Sequence, residues 1–165
     1  MSQAEVVGAD VSRAFPGLAI PALPGVTSPH KLAMQNETTP APKKRVLIVE
    51  DDLELAQIYE TLLEGFDYDV TTASDGSLAL KRVLAQDMDA VLCDLRMPEL
   101  DGDLFYSAVE RAKPHLCSRF IFITGAAEDP KYQAFLKRVK SPVLHKPVHP
   151  AKMLEEVRRL LEGNS

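Results

Sequence analysis

The sequence predicts an α/β fold in which helices cover both faces of a five-stranded parallel sheet. Between residues 43 and 163, a short apolar run is followed five times by a segment with helical periodicity, and acidic residues end the first and third runs. Such repeats join parallel strands by right-handed crossovers, which give a doubly wound sheet. In the doubly wound order 2-1-3-4-5, a ligand crevice lies at the carboxyl ends of strands one and three.

The five predicted strands are runs of four or five residues, most of which are rich in Val, Leu, Ile and Phe. Runs of this length and composition are typical of strands buried inside a parallel sheet. The predicted strands cover Arg45–Val49, Tyr68–Thr72, Asp89–Cys93, Phe120–Thr124 and Pro142–His145.

The segments between the strands place apolar residues three and four positions apart, which predicts amphipathic helices. Asp52 is the predicted N-cap of the first helix and Gly65 ends it. Pro130 suits a first helical turn, where its missing N–H is not needed. The few residues after the last helix leave no room for a second folded domain at that end. The predicted helices cover Leu53–Leu63, Ser77–Ala85, Leu104–Arg111, Pro130–Val139 and Ala151–Leu161.

Residues 1–42 differ in composition from the rest of the chain. They hold six of the twelve prolines and no long periodic pattern. Proline interrupts both helices and strand ladders, so we predict a mostly disordered, Pro-rich N-terminal tail followed by one folded domain over residues 43–163. The alternative is a docking segment for a partner, because the tail contains more apolar residues than a spacer needs.

Composition excludes several classes of protein. The 165 residues, 45% hydrophobic and 26% charged, are typical of one soluble globular domain. The net charge of −5 argues against a general surface for binding DNA, and no run of 18 apolar residues predicts a membrane span. The N-terminus lacks the order of a signal peptide, and Cys93 and Cys117 lack metal-ligand spacing, so we predict reduced thiols and a cytoplasmic location.

Five chemically active side chains follow the predicted strands. The acids are Glu50 and Asp51 after strand one and Asp94 after strand three, while Thr124 ends strand four and Lys146 follows strand five. Three carboxylates suit Mg²⁺, and a hydroxyl and an ammonium suit a phosphoryl group held nearby. The pattern indicates phosphoryl transfer, with a carboxylate oxygen of Asp94 as the nucleophile that forms an acyl phosphate.

Four blocks of this sequence resemble the signature blocks of response-regulator receiver domains from two-component signalling systems. They are Val49-Glu50-Asp51-Asp52, the run from Asp94 to Gly102 that contains Met97-Pro98, Ile123-Thr124-Gly125, and His145-Lys146-Pro147. The resemblance covers about residues 43–163, with all blocks in order. It implies the flavodoxin-like three-layer fold of a single-domain receiver.

The resemblance also implies a role for each matched residue. Asp94 would be the phosphoacceptor, and Glu50, Asp51 and the backbone carbonyl of Arg96 would join it in binding Mg²⁺. Thr124 would bond a phosphoryl oxygen and Lys146 would pair with its charge, while a cis Lys146–Pro147 bond would orient the lysine. By contrast, Asp101-Gly102 is interpreted as a turn and helix start, and His145 as a surface residue.

Three positions depart from the commonest receiver pattern. Val143 stands where many receivers carry an aromatic residue that moves inward on phosphorylation, so we expect a muted or rerouted conformational switch. Gly125 stands where alanine is frequent, which leaves space above the site and adds backbone freedom. Val148 stands where phenylalanine is common, which changes the packing under the last helix.

The predicted function is a phosphorylatable signalling module and not an enzyme that turns over external substrates. Its partners would be a histidine kinase or phosphotransfer protein and an unknown downstream protein, with a possible homodimer through helix four, strand five and helix five. Output would occur by protein contact or by phosphorelay, without an output domain, DNA binding or membrane insertion.

Three alternatives stay open. A phosphatase with an aspartyl-phosphate intermediate would need a second acid two positions after Asp94, where Arg96 stands. A flavin-binding protein of the same fold would need hydroxyl and glycine donors after strand one, where three acids stand instead. A protein-interaction module that works without phosphorylation would have no use for the complete set of site residues.

Overall fold

The computed structural model describes residues 42–163, and within them five strands alternate with five α-helices. The strands are β1 (Arg45–Val49), β2 (Asp69–Ala73), β3 (Ala90–Cys93), β4 (Phe120–Thr124) and β5 (Val143–His145). The helices are α1 (Leu53–Glu64), α2 (Gly76–Ala85), α3 (Gly102–Ala112), α4 (Pro130–Arg138) and α5 (Pro150–Gly163). The tail predicted for residues 1–42 lies outside the described residues apart from Pro42.

The five strands form one parallel sheet in the order β2-β1-β3-β4-β5, which confirms the predicted fold class and strand order. Strand β1 lies between β2 and β3, so the chain order reverses at the centre of the sheet. The register pairs Val49 with Cys93, and the next residue of β3's chain, Asp94, donates its N–H to the Val49 carbonyl at 3.0 Å. The residues that follow β1 and β3 are therefore neighbours.

Successive strand residues point to opposite faces of the sheet, and this alternation divides the core in two. One face packs against α2, α3 and α4 and is rich in aromatic rings, whose centroids lie 5.0–5.9 Å apart. The other face packs against α1 and α5 and is mainly aliphatic. The rings at these distances are Phe105, Tyr106, Phe120, Phe122 and Phe135, and Tyr132 belongs to the same cluster; the aliphatic face includes Val46, Ile48, Leu92, Ile121 and Ile123.

The helices are amphipathic and not uniformly apolar. Helix α5 buries Met153, Leu154 and Val157, while Lys152 and Arg158 on the same helix are exposed. Over residues 42–163, no helix has both the length and the apolar character needed to cross a membrane.

The structure contains all ten predicted elements, with ends that differ by one or two residues. Helix α3 begins at Gly102 and not at Leu104, and Gly102 packs against the backbone of the residues after β3. A 3₁₀ helix over Pro114–Arg119 was not predicted. Such helices are one or two turns long and leave little periodic signal in a sequence.

Candidate functional site

The carboxyl ends of β1, β3 and β5 bring together an acidic cluster and a lysine. Glu50 follows β1 and is 3% exposed, and Asp94 follows β3 and is 7% exposed. Asp51 lies at the solvent edge beside them, and Lys146 follows β5. The sheet order therefore joins four of the five side chains that the sequence singled out, across 96 residues of chain.

The two oxygens of the Asp94 carboxylate have different partners. Oδ1 accepts hydrogen bonds from the backbone N–H groups of Leu95 at 2.6 Å and Arg96 at 3.2 Å. Oδ2 accepts from the Lys146 ammonium at 2.6 Å. Because the chain turns sharply after β3, two consecutive amides converge on one oxygen and fix the orientation of the carboxylate.

The Lys146 ammonium bridges the two buried carboxylates. It donates to Glu50 Oε1 at 2.8 Å and Oε2 at 2.7 Å, in addition to Asp94. Burial raises the pKa of the Glu50 carboxyl, and the lysine cancels that effect only in part. Burial lowers the pKa of Lys146, but its hydrogen bonds to Asp94 and Glu50 outweigh burial and leave that pKa above the ordinary value. Lys146 is therefore a charged ammonium at neutral pH.

The acidic cluster has a donor set that fits a divalent cation. One carboxylate oxygen from each of Glu50, Asp51 and Asp94 lies within 4.8 Å of the others. Within residues 42–163, one ammonium, that of Lys146, pairs with this cluster, so the cluster carries an excess of negative charge when all three carboxylates are ionised. Hard oxygen donors with excess negative charge are the surroundings that Mg²⁺ prefers.

Thr124 and Arg96 reach the site through their backbones. The Thr124 carbonyl accepts from the Lys146 N–H at 3.0 Å, which holds the end of β4 beside the lysine. The Thr124 side chain is fully buried, and its Oγ1 accepts from the Ala126 N–H at 3.0 Å. The Arg96 N–H contacts Asp94, while its guanidinium extends away and pairs with Asp129 at 2.8 Å.

Two tightly packed residues, Cys93 and Gly102, contact the backbone carbonyl of Asp94. The Cys93 thiol donates to the Asp94 backbone carbonyl at 3.0 Å, and burial raises the pKa of that thiol well above its usual range, so it stays protonated. A Cβ on Gly102 would lie 2.2 Å from the same carbonyl oxygen, which explains why glycine begins α3. The Asp101-Gly102 pair thus has a packing role besides the predicted turn.

Two residues near the site behave as the sequence predicted. Asp52 caps α1, because its Oδ1 accepts from the N–H groups of Glu54 at 3.0 Å and Leu55 at 3.1 Å. His145 is exposed on β5. The Lys146–Pro147 peptide bond is cis, as the resemblance implied.

A second set of contacts, which no sequence pattern predicts, joins the loop after β3 to the start of α4. Besides the Arg96–Asp129 pair, Asp101 accepts hydrogen bonds from Tyr132 Oη at 3.0 Å and from the Lys131 ammonium. The partners lie about thirty residues apart in the chain. Neither a motif nor a periodicity links them, so tertiary structure alone reveals the contacts.

Known proteins share this fold and parts of this sequence. The chain is 39% identical over 69 residues to the transcriptional regulatory protein ZraR of Escherichia coli strain K12, a match that covers 42% of this chain and 16% of that protein. A CheY-like receiver domain protein from Methanospirillum hungatei has a TM-score of 0.67 and 25% identity, over 74% of this chain and 96% of that one.

A second similar solved structure contains a magnesium ion. The receiver domain of the sensor histidine kinase PA1611 from Pseudomonas aeruginosa, with a magnesium ion coordinated in its active-site cleft, has a TM-score of 0.67 and 26% identity over 73% of this chain and 99% of that one. The family model of the response regulator receiver domain matches residues 46–158, which is more than half of the chain. The chain therefore belongs to the response regulator receiver domain family.

Proposed function

We propose that this protein receives a phosphoryl group on Asp94 from a phosphohistidine of a histidine kinase or phosphotransfer protein, in a reaction that depends on Mg²⁺. One observation carries the proposal: a buried carboxylate pair, Glu50 and Asp94, shares one ammonium and has a third carboxylate, Asp51, at its solvent edge. Receiver domains generally receive phosphoryl groups from such donors and bind Mg²⁺ at an acidic pocket.

The contacts of Asp94 indicate which oxygen reacts. Two backbone N–H groups hold Oδ1, so Oδ2, next to the Lys146 ammonium, is the oxygen that would attack phosphorus. An O–P bond then forms while the P–N bond of the phosphohistidine breaks, and the imidazole leaves. Lys146 already lies beside Oδ2, so its charge is in place to pair with the oxygens of the transferred group.

The donor set supports Mg²⁺ as the cofactor. Glu50, Asp51, Asp94 and the backbone carbonyl of Arg96 would hold the ion, and the similar receiver domain of PA1611 has a magnesium ion coordinated in its active-site cleft. When bound, the ion would supply positive charge to the phosphoryl oxygens during transfer. Asp51 is the acid most open to solvent, so its substitution should change metal binding with the least effect on the fold.

Thr124 is proposed to bond the phosphoryl group. Its Oγ1 already accepts from the Ala126 N–H, and a hydroxyl that accepts one bond keeps its own proton to donate. Because the Thr124 carbonyl also accepts from the Lys146 N–H, the two residues would respond together to a group that binds beside them.

One contact favours a signalling phosphoacceptor over a phosphatase. A phosphatase would need a general acid two positions after the nucleophile. That position is Arg96, whose guanidinium is paired with Asp129 and does not release a proton at neutral pH, so it cannot serve as the general acid. We propose that output runs through protein contact or onward transfer, by way of a surface formed from α4, β5 and α5, and that any homodimer uses the same surface. Cys93 and Cys117 are free thiols, which agrees with a cytoplasmic location.

The test is intact mass after incubation with acetyl phosphate and Mg²⁺. We expect the wild type to gain the mass of one phosphoryl group and Asp94→Asn to gain none. Asp89→Asn is the matched control, because Asp89 also flanks β3 but lies at its other end, and it should gain mass as the wild type does. Equal incorporation by Asp94→Asn would contradict the assignment of the acceptor. If no variant reacts, transfer from a phosphorylated histidine phosphotransfer protein decides the question.

A further inference from the structure

The loop after Asp94 and the start of α4 are joined by three polar contacts, which we call the loop–α4 bridge. The first contact is the ion pair between Arg96 and Asp129. The other two are made by Asp101, whose Oδ2 accepts from Tyr132 and Lys131 while its Oδ1 accepts from the Met97 N–H at 3.2 Å. The bridge therefore spans the loop from its start to its end.

Each end of the bridge is attached to a fixed part of the molecule. On the loop side, the Arg96 N–H contacts Asp94 itself, and Leu95 and Met97 are buried in the core. On the helix side, Asp129 Oδ1 caps α4 by accepting from the Lys131 N–H at 3.0 Å. The Tyr132 ring is 1% exposed. A shift of the loop is therefore transmitted to the end of a helix and to a ring inside the core.

The usual coupling element is missing from β5. Val143 occupies the position where many receivers carry an aromatic ring, and it is half-buried against the same apolar cluster as Tyr132. A valine side chain has no ring that could move inward when Thr124 bonds a phosphoryl group. The path from the site to α4 through β4 and β5 thus lacks the group that would report phosphorylation, whereas the path through the loop is complete.

We propose that the loop–α4 bridge carries the signal of phosphorylation from Asp94 to α4, with Tyr132 as a positioning residue, an inference that rests on the proposed function. A phosphoryl group on Asp94 adds negative charge beside the Arg96 backbone. The guanidinium of Arg96 suits phosphoryl oxygens and is held by one exposed ion pair, which solvent weakens. Phosphorylation then draws Arg96 from Asp129, and the Asp101–Tyr132 hydrogen bond transfers the loop movement to α4.

The test compares amide chemical shifts of the full chain with and without beryllofluoride and Mg²⁺, which together imitate the acyl phosphate. Tyr132→Phe removes the hydroxyl and keeps the buried ring. Asp129→Asn removes the charge and keeps a capping side chain. In both variants we expect the shifts at residues 94–97 to persist and those at residues 130–138 to fall at least about twofold, the low end of measured coupling effects.

Two matched controls separate the bridge from general effects on packing and charge. Tyr106 belongs to the same core as Tyr132, and its hydroxyl interacts with Cys117. Tyr106→Phe removes that hydroxyl and keeps the ring. Arg138→Gln breaks the ion pair in which Arg138 Nη1, at the other end of α4, donates to both carboxylate oxygens of Glu110. Both controls should keep the full response at residues 130–138.

Two results would overturn the route through the bridge, and a third would overturn the proposed function. A full α4 response in both bridge variants, or an equal loss in the controls, overturns the route through the bridge and leaves the proposed function intact. The absence of any change at residues 94–97 in the wild type overturns the proposed function itself. If Tyr132→Phe does not fold, Asp129→Asn decides alone, because it changes a partly exposed side chain and keeps a capping group.

Discussion

Strands β1 and β3 are flanked by ionised side chains at both ends, and the two clusters differ in burial and in charge balance. At the carboxyl end, Glu50 and Asp94 are buried around Lys146, with Asp51 at the edge. At the amino end, Asp89 accepts from Lys44 at 3.2 Å and the Arg45 N–H at 2.9 Å, and Arg119 lies 3.5 Å away. The Lys44 side chain is 54% exposed.

The difference in burial and charge balance distinguishes the two clusters, although both are built from carboxylates and basic side chains. The amino end has two cations for one carboxylate and is screened by water, so its charges cost little to hold. The carboxyl end has three carboxylates for one ammonium, and two of them are buried, which opposes folding. A protein keeps such an unbalanced cluster where a cation or a phosphoryl group is to be handled.

The largest contrast is expected when the cation is removed from each end. Lys146→Met should lower the free energy of unfolding by about 3 kcal/mol without Mg²⁺, because Glu50 and Asp94 stay buried without a counterion. Lys44→Met, the matched substitution at the amino end, should cost less than about 1 kcal/mol. Urea denaturation near neutral pH measures both. If both substitutions lower the free energy of unfolding equally, burial of the carboxylates at the carboxyl end is not the cause of the destabilisation.

Magnesium should stabilise the protein through the carboxyl end alone. At a tenfold excess over its dissociation constant, Mg²⁺ should add about 1.4 kcal/mol to the free energy of unfolding. Asp51→Asn should leave the stability of the metal-free protein within about 0.5 kcal/mol, because the side chain is exposed, and should remove most of the gain. Denaturation with Mg²⁺, against sodium chloride of equal ionic strength, measures the effect.

The control for the metal is Asp89→Asn, which should respond to Mg²⁺ as the wild type does. An undiminished gain in Asp51→Asn would remove Asp51 from the proposed ligands.

The smallest effect is expected at Asp89 and should depend on pH. Burial raises the pKa of Asp89, but its bonds with the Arg45 N–H and Lys44 outweigh burial and leave that pKa below its ordinary value. A carboxyl with a lowered pKa in the folded state stabilises above its unfolded pKa of about 3.9, and this contribution is lost as pH falls through the lower folded value. Asp89→Asn should therefore cost about 1 kcal/mol at neutral pH and almost nothing in strong acid.

Denaturation of the wild type and Asp89→Asn across that pH range measures the effect. Asp87→Asn, which removes the carboxylate of a more exposed ion pair with Lys113, should change nothing measurable. A difference for Asp89→Asn that does not vary with pH would show that its charge is not the cause.

The sequence alone predicted the fold class and the strand order, which the structure confirms, and it named the residues proposed for the site. Apolar runs such as Phe120–Thr124 predict strands wherever they lie, because a strand buried on both faces needs apolar residues throughout. The N-cap at Asp52 and the position of the acids after β1 could also be predicted from the sequence, because helix caps and strand ends depend on nearby residues. The order β2-β1-β3-β4-β5 then placed Glu50 beside Asp94.

Tertiary structure alone decided which charges are buried, how they pair and how the site contacts α4. Asp101 was predicted as part of a turn, but its carboxylate bonds Tyr132 and Lys131. The sequence also did not show that Gly102 lies against the Asp94 carbonyl. The physical reason is range: helix periodicity and caps depend on residues within a few positions, whereas these contacts join residues that are distant in the chain and meet only after the sheet has formed.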